Sequence, residues 1–364
     1  MPGTTTVTPV LLKFDKTLGE ELLKDIRTNC SALVVHEKNL WIGGDEGTFV
    51  DRLTREPTGN FGQHRRFDLR PLLGLVSGDK TEVDIEGLDV DGGYLWVVGS
   101  HSLKRKKADD KKSAADNFTR LADVTLDPNR LTLGRVPLKK NGSDFEPTDR
   151  ASTLTAARLK GDARGNLLTQ ALESDPHIGP FVPRFANGKL VGIPSKDNGL
   201  DVEGLAASGN RVFVGLRGPV LRGWSVVLEL LVSEAAAGVL ALQAIGPAGA
   251  PYRKHFLDLD GLGVRDLAID GKDLYILAGP TMDLDGPVFI YRWGKALDHT
   301  SNALVFGKDL EKKVTVPFGE NADHAEGMSL VDLPLSAMVC YDSPSKDRVK
   351  GDDKDGVQVD IFRL

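Results

Sequence analysis

In Asp84-Ile85-Glu86-Gly87-Leu88-Asp89-Val90 polar and apolar side chains alternate, a turn signal follows at Asp91-Gly92-Gly93, and the chain resumes as Tyr94-Leu95-Trp96-Val97-Val98-Gly99. A period of two puts alternate side chains on opposite faces of a strand, so the segment predicts two antiparallel strands joined by a tight turn. The same pattern recurs at Cys30 to Leu33 with Leu40 to Gly43, at Asp201 to Leu205 with Arg211 to Gly215, and at Val264 to Leu267 with Leu274 to Leu277. A fifth copy reads Ala325-Glu326-Gly327-Met328, then Ala337-Met338-Val339-Cys340.

Aligned on the residue that leads each copy, Ser31, Glu86, Glu203, Arg265 and Glu326 stand in register. Two places on come Leu33, Leu88, Leu205, Leu267 and Met328, and four of the copies then carry an aromatic flanked by aliphatics: Trp41, Trp96, Phe213 and Tyr275. Repeats of this kind predict an all-β fold, a β-propeller, in which the two inner strands of each blade are extended by two outer ones. Outer strands are expected at Leu121 to Leu126, Leu131 to Leu133, Val226 to Leu230 and Val288 to Arg292.

Most copies are spaced by roughly 55 to 60 residues, the size of one blade, whereas Glu86 to Glu203 spans about twice that. The extra length favours five blades with a partly helical insertion around residues 145–195, six blades being the alternative; Leu154 to Leu172, rich in Ala, Leu, Arg and Lys, reads as helix. Residues 1–364 are expected to form a single propeller domain, closed by pairing Val7 to Leu12 with Val357 to Phe362.

Composition adds the setting. With 46 basic and 52 acidic residues the formal charge is -6, which disfavours attraction to a nucleic acid polymer or an anionic membrane. The basic run Lys104 to Lys107 is followed by Asp109 and Asp110, so it reads as a solvated loop. The start of the chain carries no basic region ahead of an apolar core, and the expectation is a cytoplasmic protein. Cys30 and Cys340 are in no metal-binding spacing; a disulfide between them is an option that a reducing compartment disfavours.

Chemistry concentrates on the lead positions. Inner strands of a propeller start near the central channel, so Glu86, Glu203 and Glu326 converge although far apart in sequence. Three facing carboxylates repel unless protonated, paired or bridged by a cation, and a hard divalent ion, calcium above all, suits several carboxylates and waters. The alternative is a structural network in which they pair with Arg265. Loops after the second strands bring Asp45 and Glu46, then His101, Lys104 and Arg105, then Arg217 and Arg222, then Thr281, Asp283 and Asp285, then Asp342; which end of the channel they rim is open at this stage. If it is the glutamate end, ammonium and guanidinium groups beside a metal suit a small phosphorylated ligand. Asp197, beside Lys196, is a candidate base, as are His101, His177 and His324. A Gly-x-Ser-x-Gly elbow and a P-loop are both missing, and Asp352 to Gly356 is only half of a calcium loop.

Ile85-Glu86-Gly87-Leu88, Gly99 to Arg105, Ser195 to Gly204, Gly215 to Trp224 and Val264 to Leu267 together resemble a bacterial family known as a domain of unknown function, which implies a propeller and little about activity. More distantly, the order Ser, Glu, Glu, Arg, Glu at the lead positions is similar to the five-bladed calcium-activated nucleotidases, the apyrases. That likeness implies Ser31, Glu86, Glu203 and Glu326 as calcium ligands, with Arg265 where a second serine belongs. The function expected on these grounds is a calcium-dependent hydrolase of a nucleotide or other phosphate ester, with Asp197, His101 or His324 in catalysis. Lys104, Arg105, Lys196, Arg217, Arg222 and Arg265 would hold the ligand. The alternative is a non-catalytic propeller that binds a protein or ligand partner.

Overall fold

The computed structural model describes residues 7–78, 81–282, 284–331, 334–351 and 353–364; Asp283 and Asp352 lie outside them. Among the described residues, strand pairings set out five four-stranded antiparallel sheets. Sheet I is Cys30–His36, Asn39–Gly44, Phe49–Arg55 and Phe61–Asp68. Sheet II is Ile85–Asp91, Tyr94–Gly99, Leu133–Asn141 and Asp144–Pro147. Sheet III is Asp201–Ser208, Arg211–Leu221, Trp224–Ala236 and Tyr252–Asp258. Sheet IV is Gly263–Asp270, Asp273–Gly279, Val288–Trp293 and Glu311–Val316. Sheet V is His324–Val331, Ser336–Asp342 and Gly356–Arg363, with Val7–Lys13 as its outer strand. That last pairing runs antiparallel in register from Val7↔Phe362 to Lys13↔Gly356, so both chain ends share one sheet.

The first strand of each sheet packs against the first strands of the two neighbouring sheets, and sheet V returns to sheet I. The fold is a β-propeller. The glycine after each lead glutamate marks where neighbours meet. A Cβ on Gly87 would stand 2.6 Å from Leu205 Cβ, one on Gly204 2.8 Å from Leu267 Cγ, and one on Gly327 2.9 Å from the Leu33 nitrogen. Sheet IV has Asp266 at that place, and its buried carboxylate accepts from the backbone of Met328 at 2.7 Å and of Leu267 at 2.8 Å. Asp89 likewise accepts from the Ala207 nitrogen at 2.7 Å, tying sheet II to sheet III.

Between successive sheets lie five apolar layers, and the second-strand aromatics fill four of them. Trp41 lies between sheets I and II, Trp96 between II and III, Phe213 between III and IV, and Tyr275 between IV and V. The fifth layer, between V and I, is built on Leu12, Leu33, Phe61 and Cys340, with Leu23 and Ile26 from the helix Glu20–Thr28. Cys30 and Cys340 are both buried and free; the Cys340 thiol lies 3.4 Å from the Cys30 carbonyl oxygen. No helix among the described residues is long and apolar enough to cross a membrane.

Three expectations need correction. Leu154 to Leu172 is mostly short strands, Leu154–Thr155, Ala157–Leu159, Gly161–Asp162 and Gly165–Asn166; only Leu167–Leu172 is helical, capped by Asn166. Gly161–Asp162 pairs with Gly165–Asn166 there, and helix propensity of the flanking residues does not override it. Leu121 to Leu126 is the end of a helix, Ala114–Ala122, followed by the two-residue strand Val124–Thr125. The run Lys104 to Lys107 is no free loop: Lys104–Arg105 pairs with Val124–Thr125, and all four residues face a cavity.

Candidate functional site

Each first strand starts at one end of the channel and each second strand returns to it, so the loops after the second strands rim the glutamate end. A cavity of about 570 Å³ opens there, lined among others by Glu86, Glu326, Arg217, Arg265, Lys196 and His324. Acids and bases share one mouth.

Its floor is an ion-pair network. Arg265 Nη1 lies 2.6 Å from Glu326 Oε1 and 3.1 Å from Glu203 Oε2. Arg217 Nη1 lies 2.6 Å from Glu203 Oε1, and its Nε donates to Asp201 at 2.8 Å. Burial pushes the Glu326 carboxyl up to about 7, even with Arg265 opposing the shift. Arg130 bridges Glu82 at 2.6 Å and Asp84 at 2.8 Å. Glu203 and Glu326 are therefore neutralised by guanidinium groups, and the chain supplies their counter-charge itself.

Glu86 differs. It is 8 % exposed, faces the cavity, and makes no hydrogen bond or ion pair among the described residues. One oxygen each from Glu86, Asp84 and Asp45 lie within 4.8 Å of one another. Asp45 Oδ1 is likewise buried without a partner. Burial, then the neighbouring carboxylates, holds Glu86 and Asp45 well above the ordinary carboxylate range. Such a group is either protonated or awaiting a cation. The Ser31 hydroxyl donates to the carbonyl oxygen of Ile85, joining sheet I to sheet II.

The remaining expected residues divide. His324 faces the cavity, with Nε2 2.9 Å from Asp285 and Nδ1 3.9 Å from Asp342. The nearby Asp342 carboxylate, and then the hydrogen bond to Asp285, raise its pKa and favour the imidazolium. Lys104 and Arg105 also line the cavity, Lys104 3.2 Å from Glu82 and Arg105 2.8 Å from Asp197. Lys196 is exposed at the mouth and makes no ion pair among the described residues. Asp197 is occupied by Arg105 and does not line the cavity. Arg222 is exposed in the turn before Trp224, away from the cavity lining.

His101 is corrected outright as a cavity residue. It is fully buried, Nδ1 donates to the Gly99 carbonyl oxygen at 2.8 Å, and Nε2 accepts from Asn166 at 2.8 Å. Burial pulls its pKa down to about 4, so it is a neutral core histidine pinning the insertion to sheet II.

Asp84, Asp201, Glu82 and Arg130 also line the mouth, and none of them is a lead residue of the repeat. Asp84 and Asp201 stand two places before Glu86 and Glu203, in the shared pattern Asp-x-Glu-Gly, and a period of two aims both members at the channel. That repeat was the available signal.

Known proteins resemble this chain only loosely in three dimensions. A glutaminyl cyclase from Myxococcus xanthus is 9 % identical, with 99 % of this chain and 98 % of that one covered at a TM-score of 0.40. A putative oxidoreductase (glucose dehydrogenase) from Thermus thermophilus is 13 % identical, with 98 % and 100 % covered at 0.39. A calcium-binding protein, regucalcin, from Agrobacterium tumefaciens is 9 % identical, with 92 % and 91 % covered at 0.34. No curated protein matches the sequence. The model of the family described as "Protein of unknown function (DUF3616)" matches residues 29–360.

Proposed function

Since the chain belongs to that family of unknown function, whose description assigns no chemistry, we propose from the geometry that the channel mouth binds a divalent cation and, through it, a small phosphate-bearing molecule. The observation that carries the reading is Glu86, a buried carboxylate without a partner, beside Asp45 and Asp84. The donor set is all oxygen, which suits calcium or another hard cation. This set keeps Glu86 from the apyrase likeness and adds the unpartnered Asp45, with Asp84, paired to Arg130 at 2.8 Å, beside them; Glu203 and Glu326 are already claimed by Arg217 and Arg265, and the Ser31 hydroxyl by the Ile85 carbonyl oxygen. Once the ion offsets the carboxylates, Lys196, Lys104 and Arg105 at the same mouth supply contacts to phosphate oxygens.

A hydrolytic reading is favoured by one further observation, His324 at the cavity with its Nε2 2.9 Å from Asp285 and Asp342 nearby, carboxylates that favour its protonated form. Water would attack phosphorus and the ester P–O bond would break as His324 passes its proton to the departing oxygen, the proton lost by the attacking water then returning to His324. The cation would supply charge neutralisation at phosphorus.

The test uses chelator-treated protein, inorganic phosphate and 4-nitrophenyl phosphate, with and without added calcium. Phosphate binding that requires calcium and weakens at least tenfold in Lys196→Ala supports the binding reading. Release of 4-nitrophenol that is lost in His324→Asn adds the hydrolytic step. Calcium-independent phosphate affinity, or none at all, contradicts the proposal.

A further inference from the structure

We infer that the ligand's organic part is a polyol, making the occupant a sugar phosphate by chemical class and not a nucleotide; this rests on the phosphate-binding reading above. A second cavity of about 600 Å³ lies beside the central one and shares Glu46, Glu82 and Lys104 with it. The remaining wall of this side groove includes Thr81, Thr125, Leu126 and Asp127. A ligand whose phosphate occupies the central mouth therefore has a ready course for its other end.

The chemistry of that course is selective. Lys104 is the groove's one cation among the described lining residues, and it already faces Glu82 at 3.2 Å. Glu82 is also held by Arg130 at 2.6 Å, which leaves Glu46 and Asp127 as the groove's carboxylates without a cation, and Glu46 is exposed with no hydrogen bond or ion pair among the described residues. A second or third phosphate placed there meets like charge, whereas the hydroxyls of a polyol donate to carboxylates and exchange with the exposed Thr125 hydroxyl. No Phe, Tyr, Trp or His lines the groove among the described residues, so a nucleobase lodged there has no ring to stack on. Groove and mouth together read as acceptors for hydroxyls next to donors for one phosphate.

The experiment is calorimetric titration of the calcium-loaded protein with inorganic phosphate, ribose 5-phosphate and adenosine 5′-monophosphate. Ribose 5-phosphate is expected to bind at least tenfold more tightly than inorganic phosphate, and the adenine to add less than threefold to that. In Thr125→Trp, which fills the groove, the ratio of ribose 5-phosphate to inorganic phosphate affinity falls towards one. A tenfold or greater gain from the adenine overturns the sugar-phosphate assignment while leaving the phosphate site standing. Equal affinity for ribose 5-phosphate and inorganic phosphate removes the groove from recognition. Calcium binding without affinity for any of the three overturns both this inference and the phosphate reading on which it rests.

Discussion

Arg265 Nη1 stands 2.6 Å from Glu326 Oε1, so the lead residue of sheet IV neutralises the lead residue of sheet V, with Glu203 of sheet III 3.1 Å from the same nitrogen. All three side chains are buried. A single guanidinium thus joins three sheets at the channel floor, and removing it leaves the buried Glu326 carboxylate without its guanidinium while Glu203 keeps Arg217. Arg265→Met is expected to cost about 3 kcal/mol in urea unfolding. Adding Glu326→Gln should recover part of that loss, since the stranded charge is then gone; a cost below about 1 kcal/mol, or no recovery, contradicts this role.

The packing of first strand on first strand sets a second expectation. Gly87 has Leu205 Cβ 2.6 Å and Leu205 nitrogen 2.9 Å from where a Cβ would stand. Backbone atoms cannot yield as a flexible side-chain end can, so Gly87→Ala forces sheets II and III apart. A loss of about 2 kcal/mol is expected, seen as a lower melting temperature with unchanged strand content by circular dichroism. Unchanged stability would show that the sheets tolerate wider spacing.

How much of this was legible in sequence follows from where the information sits. The period-two repeat with its glycines and aromatics marked the inner strands, because each strand's faces repeat one neighbour relationship around the ring. The pairing of Val7–Lys13 with Gly356–Arg363 was likewise readable from two apolar runs at the chain ends. Residues 145–195 were not, because the two- and three-residue strands there are too short to carry a period, and helix propensity was the only signal left. At the site, the lead positions converged as the repeat implied, yet their partners did not follow from it. Pairing of the lead glutamates with Arg265 was the alternative the repeat offered and holds for Glu203 and Glu326, but Arg217 comes from a second strand and Asp45 from a loop, and nothing in the spacing says that Glu86 would be left without a guanidinium. His101 misled because a histidine in a Gly-Ser-His-Ser run looks exposed, whereas its φ of 53° turns the ring into the core toward Asn166.

That buried ring has a measurable pH signature. The folded imidazole stays neutral down to about pH 4, whereas an unfolded one takes up a proton near 6.5. Proton uptake therefore favours the unfolded chain: stability falls as pH drops below about 6.5, and this contribution levels off near 4, reaching about 3 kcal/mol. His101→Gln should be less stable than the native chain at pH 7 but lose less on going from pH 6.5 to 4.5. Parallel stability curves for the two proteins would contradict a neutral buried His101.

The central claim is that Glu86 and Asp45, beside the Arg130-paired Asp84, are the part of the mouth left open for a cation, while Glu203 is already satisfied by Arg217 and Arg265. The most direct measurement is calorimetric calcium titration of chelator-treated protein, native against Glu86→Gln and Glu203→Gln, each checked for folding at the temperature used. The account predicts one calcium per chain in the native protein, binding weakened at least tenfold in Glu86→Gln, and binding within about threefold of native in Glu203→Gln. Calcium binding that survives Glu86→Gln but is lost in Glu203→Gln, or a native protein that binds none, would contradict it.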